Sequence, residues 1–76
     1  MTTLAALAVG ALARVESIAG DDEISLRLME MGLVPGTELQ LKSVAPFGDP
    51  LEIELRGYRL SMRKSEAERV AIVARG

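Results

Sequence analysis

The groups in this chain that could do chemistry are carboxylates and guanidiniums. Asp21-Asp22-Glu23 places three acidic side chains in a row, and oxygen donors of that kind suit a hard cation. Carboxylates just ahead of an apolar-periodic segment are also what a helix start wants, because they accept its free amides and meet the positive end of its dipole. The capping role explains all three without a metal. Arg56, Arg59, Arg63 and Lys64 could form a basic patch, yet they alternate beside Glu52 and Glu54, which fits a solvated face with cross-strand ion pairs. The chain has no His, Cys or Trp. That removes Cys/His zinc sites, thiol redox chemistry, haem held by His, and any Ser or Thr nucleophile activated by imidazole. Selective binding of a transition metal would need carboxylates gathered from separate loops. No catalytic residue, cofactor site or metal site is assigned.

Composition narrows the partners. The chain has 76 residues, 49% of them hydrophobic, with nine basic and eleven acidic side chains and a net charge of −2. This is the size of a single small domain, residues 1–76, with little concave surface for a substrate. A nucleic-acid module needs a basic excess and, for single strands, stacking aromatics, whereas Phe47 and Tyr58 are the only aromatics here. The uncharged stretch 1–13 ends in Ala11-Leu12-Ala13, which has the form of a signal-peptidase site. It lacks the basic region that precedes such signals, and its residues are expected to serve the core instead. As a helix it would reach only about 20 Å of a ~30 Å hydrocarbon layer. The expectation is a soluble, cytoplasmic protein with no direct membrane insertion.

The elements that must position these groups can be read from periodicity. Ile24, Leu28 and Met31 recur at helical spacing within Asp21–Leu33, and Glu23 and Arg27 stand four apart as a favourable pair. Asp21 or Asp22 caps the start, and Gly32 takes the left-handed conformation that stops the helix, with Leu33 folding back on Leu28. From Glu38 onward the period changes to two: Leu39 and Leu41, then Leu51, Ile53 and Leu55, then Tyr58, Leu60 and Met62, then Val70–Ala74. Ala13, Val15 and Ile18 form an earlier strand whose phase slips near Ser17, as a bulge would make it. Lys64–Glu68 is a polar single-turn connection. Ala45-Pro46-Phe47-Gly48-Asp49-Pro50 is a loop, since each proline removes a ladder donor. Five short strands exposing few edges are best arranged as a partly closed, strongly twisted barrel. The expected fold is mainly β: a small SH3-like five-stranded barrel with a short α-helix in its first long loop.

Three segments carry a resemblance: Arg27-Leu28-Met29-Glu30-Met31-Gly32-Leu33-Val34-Pro35-Gly36, then Ala45-Pro46-Phe47-Gly48-Asp49-Pro50, then Leu60-Ser61-Met62-Arg63-Lys64-Ser65-Glu66-Ala67. In this order and spacing they resemble the FeoA family, small cytoplasmic proteins of bacterial ferrous iron uptake, with Phe47 standing where that family usually has Leu. The resemblance implies an SH3-like barrel. It also implies a partner, the membrane transporter FeoB with its cytoplasmic G-protein domain, whose transport or nucleotide cycle the small protein assists. A related domain ends the iron-dependent repressors, so a free-standing metal-sensing or self-associating regulatory domain is the alternative.

Candidate partner-binding residues follow. With Ile24, Leu28 and Met31 facing the core, Leu26 and Met29 fall on the far side of the helix, at about 100° per residue. They are either covered by another segment, Leu4–Leu7, or form a docking patch for a partner helix or a second copy of the chain. The Pro46–Pro50 loop (Pro46, Phe47, Gly48, Asp49, Pro50) is a rigid surface that loses little entropy on binding. Arg27 and Arg63 are the candidates for an arginine acting on a partner's nucleotide site.

Overall fold

The computed structural model describes residues 2–75. In chain order it contains strand β1 (Thr2–Thr3), a single 3-10 turn (Leu4–Ala6), β2 (Leu12–Ile18), helix α1 (Glu23–Glu30), β3 (Glu38–Val44), β4 (Leu51–Leu55), β5 (Tyr58–Met62), helix α2 (Lys64–Ala67) and β6 (Val70–Arg75). The strands form one antiparallel sheet in the order β1-β6-β2-β3-β4-β5.

Alternation decides what each strand buries. β4 turns Leu51, Ile53 and Leu55 inward, β3 turns Leu39 and Leu41, β2 turns Ala13 and Val15, and β6 turns Val70 and Ile72. The expected slip in β2 is a bulge between Val15 and Ser17, which lets Val15 and Ile18 face the same side at a spacing of three. A second bulge, between Leu41 and Ser43, does the same for Leu41 and Val44. Leu28 and Leu33 fill the core from the helix side, Met62 and Ala67 from the β5–α2 corner.

One expectation changes. Among the described residues there are six strands, not five, because Thr2–Thr3 adds to β6; a strand of two residues is too short to show a period. Only partial closure of the barrel is expected, and among the described residues hydrogen bonds do not close it, since β1 and β5 lie at opposite ends of the sheet. The SH3-like plan is otherwise as expected, with α1 in the first long loop and α2 as the single-turn connection.

The 4–7 segment also goes elsewhere than onto the outer face of α1. Leu4 is fully buried, and its turn packs against α2 and β6. Leu26 stays 55% exposed as a result. Ala5 and Leu7 are partly buried on the same core.

Candidate partner-docking site

α1 is held at both ends by local chemistry. Asp22 is its N-cap: the side chain accepts the Ser25 N–H at 3.2 Å, and the Ser25 hydroxyl donates back to the Asp22 carbonyl at 2.9 Å, which satisfies the buried Ser25. Arg69 reaches the same carboxylate at 2.7 Å. The Arg69 hydrogen bond, and after it the Ser25 N–H, hold the Asp22 carboxyl below the usual carboxylate range. At the far end Gly32 has φ of 108°, its N–H bonds the Met29 carbonyl at 3.0 Å, and the Leu33 N–H bonds the Leu28 carbonyl at 3.1 Å. That pair of bonds is the Schellman ending, with Leu28 and Leu33 both buried beneath it.

Helix geometry then sets the docking residues. Leu28 points into the core, and Ile24 and Met31 are partly buried against it. Leu26 faces outward and Met29 is half-buried. Arg27 pairs with Glu66 at 2.8 Å rather than with Glu23, its neighbour one turn back. An exposed Glu23 must be ordered to make a bond, whereas Glu66 is already fixed, because its other oxygen accepts the Arg63 N–H at 2.8 Å.

That second bond belongs to α2. Arg63 is the N-cap of α2, and a guanidinium has no lone pair to offer the helix amides. Two carboxylates, one within α2 and one from the 45–50 loop, supply acceptors instead. Glu66 takes the Arg63 N–H, and Asp49, from the 45–50 loop, takes the Lys64 N–H at 3.0 Å. The loop closes on itself as well, with Ala45 N–H to the Pro50 carbonyl at 3.0 Å and Gly48 N–H to the Ala45 carbonyl at 2.7 Å. Phe47 stands at its tip, 99% exposed, beside exposed Pro46.

Three of the sequence-derived site residues therefore meet around the first turn of α2. Arg27, Asp49 and Arg63 are joined through Glu66 and the Lys64 amide. Leu26 and Met29 ride on α1 and Phe47 on the loop, each anchored to that turn by one member of the set. The residue missed in sequence is Glu66, and the signal for it was its three-residue spacing from Arg63, half of a capping box. Of the basic residues weighed as a patch, only Arg59 makes the expected cross-strand pair, with Glu52 at 2.7 Å; Glu54 is approached by Lys42, at 4.0 Å. Among the described residues no three His, Cys, Asp or Glu side chains converge as a metal cage, and no helix is long and apolar enough to cross a membrane.

Comparison with known proteins agrees with this architecture. A family model described as the FeoA domain matches residues 2–74. The FeoA-like protein of Clostridium acetobutylicum is 36% identical, with 96% of this chain and 85% of that one covered at a TM-score of 0.90. FeoA of Stenotrophomonas maltophilia, solved with zinc and described as a prokaryotic SH3 domain protein and candidate activating factor of ferrous iron transport, is 35% identical. It covers 96% of this chain and 91% of its own, at a TM-score of 0.84. IdeR of T. acidophilum shares the fold alone: 21% identity, 97% of this chain and 34% of that one, TM-score 0.85. With the family model spanning nearly every residue and the SH3-like fold in common, this chain belongs to the FeoA family of ferrous iron transport.

Proposed function

We propose that this protein is a non-catalytic cytoplasmic accessory of ferrous iron uptake, which docks on the transporter FeoB and modulates its transport or its nucleotide cycle. The observation that carries this reading is the pair of exposed apolar side chains, Leu26 and Phe47, held on separate segments that are both tied to the first turn of α2. Large apolar groups kept in solvent on ordered backbone cost little further entropy when a partner covers them. Pro46, Gly48 and Pro50 shape the loop that presents Phe47.

The donor set supports action on the transporter rather than on the ion. The S. maltophilia protein was solved with zinc, but this chain offers neither His nor Cys. An arginine acting on a bound nucleotide is better supplied by Arg63, whose guanidinium makes no ion pair among the described residues, than by Arg27, which would first have to leave Glu66.

The test is NMR chemical-shift mapping of the labelled protein with the purified G domain of FeoB. Shifts clustered on residues 26–29 and 45–50, lost in Leu26→Glu and Phe47→Ser variants that keep their fold, are expected. A spectrum unchanged by the G domain, or shifts confined to other surfaces, refutes the docking site. A parallel titration with Fe(II) without oxygen checks the alternative of a metal-sensing domain, which would produce saturable shifts near carboxylates.

A further inference from the structure

β5 is an end strand of the sheet and, among the described residues, pairs only with β4. Their hairpin turns on Arg56 and Gly57, with φ of 50° and 84°, so Leu55 and Tyr58 form the hydrogen-bonded pair beside the turn. Alternation along an antiparallel ladder then gives the inner bonds to Tyr58, Leu60 and Met62. The N–H and C=O groups of Arg59 and Ser61 point away from β4. A row of that kind accepts one more extended chain, main chain to main chain.

Charge around the row selects the chain. Arg56 precedes β5 and Arg63 and Lys64 follow it, all three exposed. None of the three side chains is paired with a carboxylate among the described residues; Arg56 reaches only the Thr37 hydroxyl, at 3.4 Å. Arg59, in the middle, is partly neutralised by Glu52. We propose that the β5 edge binds an extended acidic segment of a partner protein by strand addition, its backbone pairing with Arg59 and Ser61 and its carboxylates meeting Arg56, Arg63 and Lys64. A second copy is disfavoured by the same charges, because antiparallel pairing of two β5 edges sets the Arg56 end of one against the Arg63–Lys64 end of the other. The surface uses neither Leu26 nor Phe47 and shares only Arg63 with the residues named for the G domain, so peptide binding at β5 and docking through Leu26 and Phe47 are tested separately.

The probe is a synthetic peptide, acetyl-Thr-Glu-Val-Glu-Val-Glu-Thr-amide, with a control in which every Glu is Lys. Amide shifts and hydrogen exchange are read by NMR. The Glu peptide is expected to shift the Arg59 and Ser61 amides and slow their exchange by about tenfold or more, with affinity falling as salt rises, while the Lys peptide does neither. Ser61→Pro removes an outward N–H and leaves the β4 ladder whole, and is expected to weaken binding by about tenfold. Should that variant not fold, peptides N-methylated at alternate residues in the two opposite phases make the same test, since one phase must lose binding. Equal binding of the Lys peptide, or shifts away from β5, overturns the proposal. No binding of either peptide also overturns it and leaves the cations as guards against edge pairing. Protection of Arg59 and Ser61 that grows with protein concentration, without peptide, overturns it in favour of self-association.

Discussion

Removing the Glu66 carboxylate separates two interactions that share it. One oxygen accepts the Arg63 N–H and the other the Arg27 guanidinium, both at 2.8 Å. The first satisfies a freed amide at the start of α2 and is worth about 1 kcal/mol, the usual cost of losing a helix cap. The second joins an Arg27 side chain that is 61% exposed to a Glu66 side chain that is 14% exposed. Solvent screens such a pair, so its share is about 0.5 kcal/mol. Glu66→Ala is therefore expected to cost about 1.5 kcal/mol, a fall in Tm of about 6–12 °C in a domain of this size. A chain of 76 residues has about 4–11 kcal/mol in hand, so the variant remains folded. Arg27→Ala is expected to cost about 0.5 kcal/mol, and the double variant no more than Glu66→Ala alone, because the pair is already broken. Urea unfolding followed by circular dichroism, at low salt and at about 0.5 M salt, reads both parts, since salt erodes the ion pair and spares the cap. If Arg27→Ala costs as much as Glu66→Ala, or if the two costs add in full, the carboxylate does not hold α1 and the start of α2 together as argued.

Three other outcomes follow from the same geometry. Leu28→Ala empties a fully buried position and is expected to cost about 3 kcal/mol, whereas Leu26→Glu changes stability by no more than about 0.5 kcal/mol; equal urea midpoints for the two variants would contradict the assignment of helix faces. Gly32→Ala places a Cβ 3.2 Å from the Tyr58 hydroxyl and 3.3 Å from Leu55 Cδ1, at a φ of 108°. It is expected to cost more than about 1 kcal/mol, and an unchanged Tm would argue against the Schellman ending. Asp22 titrates below its ordinary value of 3.8 in the folded state, so its contribution is present above that value and is lost as pH falls through the lowered one. Asp22→Asn should flatten that part of the acid limb of a stability profile, and a limb identical to the parent's would sink the Arg69–Asp22 assignment.

What was legible in the sequence was what the chain decides within a few residues. The Asp22 cap and the Gly32 stop each depend on bonds across three to five positions. The β2 bulge shows as a break in a two-residue period at Ser17, and β4 and β5 show as unbroken alternation. What failed was decided across long separations. Glu23 lies four residues from Arg27, yet Glu66, 39 residues away, makes the bond. Spacing rules count neighbours but not how firmly a neighbour is already held, and Glu66 is held by the Arg63 amide before Arg27 arrives. The exposed Leu26 has the same origin. Leu4–Leu7 was near enough in chain economy to cover it, but the β1–β6 pairing carries that segment to α2 and β6.

Barrel closure is the deepest case of this kind. Counting strands and asking for few exposed edges favours a partly closed form, and full closure would need a final pairing between the first and last strands of the order. Here β1 has only Thr2 and Thr3 to offer, a strand too short to carry a ladder on its second edge after pairing with β6 through Ile72 and Ala71. β5 is left open as a result, and its outer groups, Arg59 and Ser61, have no backbone partner among the described residues. Nature's usual remedies for such an edge are charge, brevity and twist. β5 has five residues, and cations at both ends. Cations of one sign repel a second copy of the same edge while attracting an acidic strand, so the feature that keeps the protein from pairing with itself also specifies the strand it would accept.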